Sequence, residues 1–157
     1  MRRTFRTKVM DKAGTLNRLT GIFVRRQFNI VTLSVTPTRE EGISNITFVA
    51  EIPDSDVLRN LLRQLEKQIN IIEVEDITDT NTYNRELVLV KLETPSNHQD
   101  LQNIIKPYDA LVSVLKSEAP YTYLQASGPQ YTMDNLLDDL SSYNIEQVSR
   151  TGSASLV

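Results

Sequence analysis

Cysteine is absent from the 157 residues and histidine occurs once. Without thiols there is no disulfide framework, no thiolate metal site and no cysteine nucleophile, so core packing and any partner chain must hold the fold. The one histidine, His98, lies in Ser96-Asn97-His98-Gln99-Asp100, which reads as the first turn of an exposed helix rather than as a general base. No apolar run approaches the eighteen or so residues that a spanning helix needs, and Met1-Arg2-Arg3-Thr4-Phe5-Arg6 is not followed by the apolar stretch of a signal peptide. A cytoplasmic chain with no membrane contact is the expectation. Glycines 14, 21, 42, 128 and 152 form neither a P-loop nor a dinucleotide fingerprint, and metal-ligand spacing is missing. No pair of residues makes a catalytic constellation, so neither a catalytic residue nor a cofactor or metal bound by this chain is expected.

What is present is the composition of an ordinary globular protein, 39% hydrophobic and 24% charged, which excludes disordered and collagen-like classes. The net charge of −3 conceals an asymmetry. Residues 1–78 carry twelve Lys or Arg against ten Asp or Glu, and residues 79–157 carry five against ten. Eight of the basic residues fall within the first 26, with Asp11 the one acid among them, which raises a nucleic-acid surface as a possible reading. The plainer one is favoured because no aromatic stripe accompanies them: Arg18, Arg25 and Arg26 are the solvated face and C-terminal end of a helix, where the dipole favours cations.

Hydrophobic spacing lays out two similar units. Thr4 to Met10 has strand composition, and Leu16, Leu19 and Phe23 recur at helical spacing over Thr15 to Arg26. Val31, Leu33 and Val35 alternate with polar residues, as do Ile46, Phe48, Ala50 and Ile52 after the turn Arg39-Glu40-Glu41-Gly42, which predicts an antiparallel hairpin. Pro53-Asp54-Ser55 starts a helix striped by Val57, Leu58, Leu61, Leu62 and Leu65, and Ile69 to Ile77 is β-branched enough to be a strand. Thr78-Asp79-Thr80-Asn81-Thr82 is a polar linker. Beyond it the pattern repeats: a strand at Leu87 to Leu92, a short helix marked by Leu101, Ile104 and Ile105, a hairpin of Ala110 to Leu115 and Tyr121 to Ala126, a helix carrying Met133, Leu136, Leu137 and Leu140, and a strand at Ile145 to Val148. Asp138 and Asp139 fall on that helix's polar side and are expected simply to be solvated.

The fold class is therefore α+β, two ferredoxin-like βαββαβ units spanning residues 1–78 and 84–157. Each buries only a little over 60% of its unfolded surface, and an open sheet leaves edge strands unpaired, so a homodimer is expected. Several functions share this layer. A copper carrier needs cysteines and is excluded, while an RNA-recognition module needs exposed strand aromatics where this chain has Thr, Ser, Asn and aliphatics. What remains is a small-molecule sensor. Asp11-Lys12-Ala13-Gly14-Thr15-Leu16 sits between the first strand and the first helix, where a glycine lets the chain turn and the first helical amides face outward, a natural place for an anion. The same residues also serve as a plain turn and helix cap.

The stretch Asp11 to Phe23, then Phe28-Asn29-Ile30, Leu33-Ser34-Val35, Pro37-Thr38 and Gly42-Ile43-Ser44, resembles the ACT domain of the regulatory small subunit of acetolactate synthase, and Arg85 to Lys91 and Arg150-Thr151-Gly152 extend the likeness. The chain departs from that family in having Asp11 where asparagine is usual, Gln27 where glycine is usual, and a shorter stretch around residues 95–107. The resemblance implies a non-catalytic chain that forms a homodimer through its ACT domains, binds and activates the catalytic large subunit, and makes it inhibitable by valine. Thiamine diphosphate, Mg and FAD are implied on that partner. It also implies an effector site between two ACT domains: Gly14, Thr15 and Leu16 offer amides to the valine carboxylate, Asp11 faces its ammonium, and Asn29 and Ile30 close the pocket from across the dimer. The alternative is a stand-alone tandem ACT sensor that regulates another pathway or transcription.

Overall fold

The computed structural model describes residues 1–78, 82–96 and 98–156. Two compact units form, Met1–Tyr83 with Ser153–Val157, and Asn84–Gly152. The first contains β1 (Arg2–Met10), α1 (Thr15–Arg26), β2 (Ile30–Pro37), β3 (Ile43–Glu51), α2 (Ser55–Glu66) and β4 (Ile71–Asp76). The second contains β5 (Tyr83–Glu93), α3 (His98–Ile105), β6 (Val112–Glu118), β7 (Tyr121–Gly128), α4 (Gln130–Asp139) and β8 (Ile145–Arg150), and a short β9 (Ala154–Leu156), which the sequence did not suggest, follows. Strand order is β2-β3-β1-β4 in one sheet and β6-β7-β5-β8 in the other, with neighbouring strands antiparallel throughout. Both are βαββαβ layers, as expected. The middle of the predicted linker, residues 79–81, and the His98 side chain lie outside the described residues.

Alternation along β1 and β3 sends one set of side chains under the helices. Phe5 pairs with Phe48, and their rings stack at 4.9 Å while Phe23 of α1 meets Phe48 edge-on at 5.2 Å. All three are buried, which fixes α1 on the central strands with a contribution of about 0.5–1.5 kcal/mol per ring pair beyond burial itself. Asp54 caps α2, its Oδ1 accepting from Val57 N–H at 2.9 Å, so the helix starts where Pro53-Asp54-Ser55 indicated. In the second unit Val88, Val90 and Leu92 of β5 pack with Leu101 and Ile105 of α3 and Met133 and Leu136 of α4.

Three local features differ from the sequence reading. Leu16, read as part of the apolar stripe of α1, is exposed at the first turn of the helix, and Ile22 is buried in the stripe with Leu19 and Phe23 instead. Strand β4 starts at Ile71 rather than Ile69, because Asn70 takes a left-handed conformation (φ +74°) that ends the preceding turn and leaves Ile69 in solvent. Asp139 is not merely solvated: it accepts a 2.6 Å hydrogen bond from the Tyr108 hydroxyl, and that bond, with burial and the carboxylate charge, pushes the phenol up to about 12. The position that is usually glycine in the resembled family does need a left-handed residue. Gln27 closes α1 at φ +56°, a conformation that costs a residue with a Cβ roughly 1–2 kcal/mol.

Candidate effector site

The loop after β1 is built mainly from backbone hydrogen bonds. Met10 N–H donates to Asn70 O and Asp11 N–H to Gly42 O, both at 2.8 Å, and Lys12 N–H turns back to Met10 O at 2.9 Å. Gly14 then adopts φ +83° as the residue before α1, a left-handed conformation that glycine takes without strain. Arg18 N–H donates to Gly14 O and closes the first helical turn. Among the described residues no side chain caps this end, and its first turn holds no acid, so the partial positive charge of its free amides is open to an anion.

The expected donors are not equivalent. Thr15 is 5% exposed, its N–H donates to Lys12 O at 3.1 Å, and its hydroxyl donates to Met10 O and accepts from Asn70 Nδ2. It therefore holds the loop together. Gly14 and Leu16 are exposed, as is Asn17, and among the described residues no acceptor within the chain takes up the Leu16 or Asn17 amide. Asp11, in the same loop, is exposed too. The sequence marks Gly42 only as part of a turn and gives Asn17 and Asn70 no role, since Asn70 sits inside a β-branched run that conceals its left-handed geometry.

Asn29 and Ile30 lie at the far end of α1. Asn29 is exposed, its carbonyl accepts from Glu51 N–H at 3.0 Å, and it lines an open hollow of about 510 Å³ with Phe28, Glu51 and Pro53. Ile30 is half-buried and packs on the first core. The 12 residues of α1 extend about 18 Å, so one protomer holds Asn29 and Ile30 away from the Gly14 loop.

The four basic residues of β1 are each paired with an acid. Arg3 pairs with Asp76 and Arg6 with Glu75 at 2.6 Å, Lys8 with Glu40 at 2.9 Å, and Arg2 with Glu51 at 3.5 Å. This ladder across neighbouring strands and a turn is not the free cationic stripe that phosphates require. No described helix is long and apolar enough to cross a membrane.

The βαββαβ layer alone is shared by several classes of protein, and the family match distinguishes among them. Residues 5–73 match the family described as AHAS small subunit-like ACT domain, so the first unit is an ACT domain. Residues 85–157 match the family described as small subunit of acetolactate synthase. The chain is 35% identical to the acetolactate synthase small subunit of Bacillus subtilis over 153 residues, covering 97% of this chain and 88% of that one. It is 30% identical to a probable acetolactate synthase small subunit of Archaeoglobus fulgidus, covering 100% and 97%. The chain belongs to the acetolactate synthase small-subunit family. Its fold matches the crystal structure of the Thermotoga maritima acetolactate synthase small subunit, with a TM-score of 0.85 at 18% identity over 99% of this chain and 96% of that one.

Proposed function

We propose that this chain is the non-catalytic regulatory subunit of a thiamine-diphosphate-dependent acetolactate synthase in branched-chain amino-acid biosynthesis. It activates the catalytic subunit, which carries thiamine diphosphate, Mg and FAD, and makes it inhibitable by valine. The compartment is the cytoplasm. Family membership supports the assignment to this enzyme, and one geometric observation carries the effector reading: the two halves of the expected site sit at opposite ends of α1.

A two-fold homodimer brings those halves together. Strand β2 ends level with β1, since Pro37 and Val9 both pair with Ser44, and it starts at the other end of the sheet, where Ile30 and Arg3 both pair with Ala50. The outer edge of β2 is unpaired in the sheet order. Antiparallel pairing with a second β2 would satisfy that edge, cover Leu33 and Val35, and carry the partner's Asn29 to the end where this protomer's Gly14 loop lies. Valine would then place its carboxylate at the Leu16 and Asn17 amides, its ammonium at Asp11 and its isopropyl group against the partner's Ile30. Charge-assisted hydrogen bonds of about 1.5–3 kcal/mol each and about 1.5–3 kcal/mol from the buried isopropyl group give micromolar to millimolar sensing once association costs are subtracted.

The test is Asn29→Ala in enzyme reconstituted from both subunits. We expect activation to be retained and inhibition by valine to require at least tenfold more effector, since one polar contact to a charged group is lost. If activation disappears together with inhibition, Asn29 is structural and the shared pocket is not supported.

A further inference from the structure

Two left-handed turn residues converge on the end of β1. Gly42 (φ +73°) presents its carbonyl to Asp11, and Asn70 (φ +74°) presents its carbonyl to Met10. Glycine adopts this conformation freely, and asparagine is among the few other residues that do so readily. The left-handed turn accounts for the kind of residue at position 70 but not for what its side chain does. Asn70 Nδ2 crosses 55 positions of sequence to donate to Thr15 Oγ1 at 3.1 Å, and that hydroxyl donates in turn to Met10 O at 3.2 Å. Main chain and side chain of one residue thus grip the last residue of β1 and the first residue of α1, the two ends of the loop.

We propose that Asn70 is a positioning residue for the effector loop. By holding the buried Thr15 hydroxyl it fixes the direction of the first turn of α1, and with it the aim of the Leu16 and Asn17 amides. The ligand class is a free amino acid whose carboxylate those amides receive, so the inference rests on the effector site proposed above. Asn70 itself touches no ligand; it acts through Thr15.

Calorimetric titration of the full chain with L-valine, L-leucine and L-isoleucine tests this in wild type, Asn70→Gly, Thr15→Val and the double variant, with thermal melts beside each. Asn70→Gly retains the left-handed turn and the carbonyl to Met10 and deletes only the side-chain bond. We expect it to melt close to the wild type and to bind the preferred amino acid about tenfold more weakly, the loss of one hydrogen bond. Thr15→Val removes the same contact from the other side, so the double variant should bind no more weakly than Thr15→Val alone, and Thr15→Ser should restore affinity. Wild-type affinity in Asn70→Gly, losses that multiply in the double variant, or an affinity loss that merely follows a lowered melting temperature would each overturn the positioning role while leaving the effector site standing. A wild-type chain that binds none of the three amino acids would overturn both.

Discussion

Gly14→Asp should weaken valine binding about a thousandfold while the protein stays folded. A Cβ added at Gly14 meets no atom within 4 Å, so the cost is not a steric clash. It has two parts. The left-handed backbone (φ +83°) disfavours any side chain, a penalty shared by Gly14→Ala. The carboxylate is specific to Gly14→Asp, and two negative charges about 4 Å apart at an effective dielectric of 20 repel by about 4 kcal/mol, which is about a thousandfold in affinity. Calorimetric titration of both variants separates the parts: Gly14→Ala should lose far less. Equal losses would show that loop geometry alone matters, and wild-type affinity in Gly14→Asp would remove this loop from the effector site.

The largest stability effect is expected at Arg150→Ala. Glu86, on β5, is a carboxylate with 1% side-chain exposure, and its Oε1 accepts from Arg150 Nη2 of β8. Arg150 Nη1 donates at 2.6 Å to Asp134 of α4, so a single guanidinium ties two strands and a helix of the second unit. Burial works against the charge on Arg150, but its hydrogen bonds to Glu86 and Asp134 raise its pKa above the usual value. Removing it leaves Glu86 buried and uncompensated at a cost of about 3 kcal/mol, the lower end for a buried pair because Arg150 keeps 27% side-chain exposure. For a unit of this size the melting temperature should fall by roughly 12–24 °C. Replacing both partners, as Glu86→Leu with Arg150→Met, should recover most of that loss, since an apolar pair of similar volume carries no desolvation penalty. Thermal melts of the three proteins decide it; an Arg150→Ala protein that melts with the wild type would show that the pair does not support the fold.

Periodicity revealed what periodicity encodes. Of the α1 stripe read as Leu16, Leu19 and Phe23, the last two are buried, while Ile22 rather than Leu16 completes the covered face; Leu61 and Leu65, and Met133 and Leu136, are buried as the spacing indicated, and the βαββαβ order follows from these faces. Alternation says which side chains share a face but not whether that face is covered: Leu33 and Val35 pair with the buried Phe48 and Ile46 and still stand exposed on the edge strand. Backbone geometry was legible only where composition marks it. Gly14 announces a left-handed turn, whereas Gln27 has no such signature in its side chain and Asn70 is embedded in a β-branched run. Long-range polar contacts left no trace in local patterns: Glu86 and Arg150 are 64 positions apart. The site was legible in parts. The Gly14 loop could be found from turn chemistry, but its proposed link to Asn29 came from the resemblance, and the strand register that supports the proposed two-fold is not visible in local sequence patterns.

A regulatory subunit of acetolactate synthase should hold that enzyme when a native lysate is passed over it. With the full chain immobilised and the lysate passed over it, the account predicts that a thiamine-diphosphate-dependent, acetolactate-forming activity is retained and that valine inhibits it on the support. Acetolactate-forming activity that passes entirely into the flow-through would contradict the account and leave a stand-alone amino-acid sensor in its place.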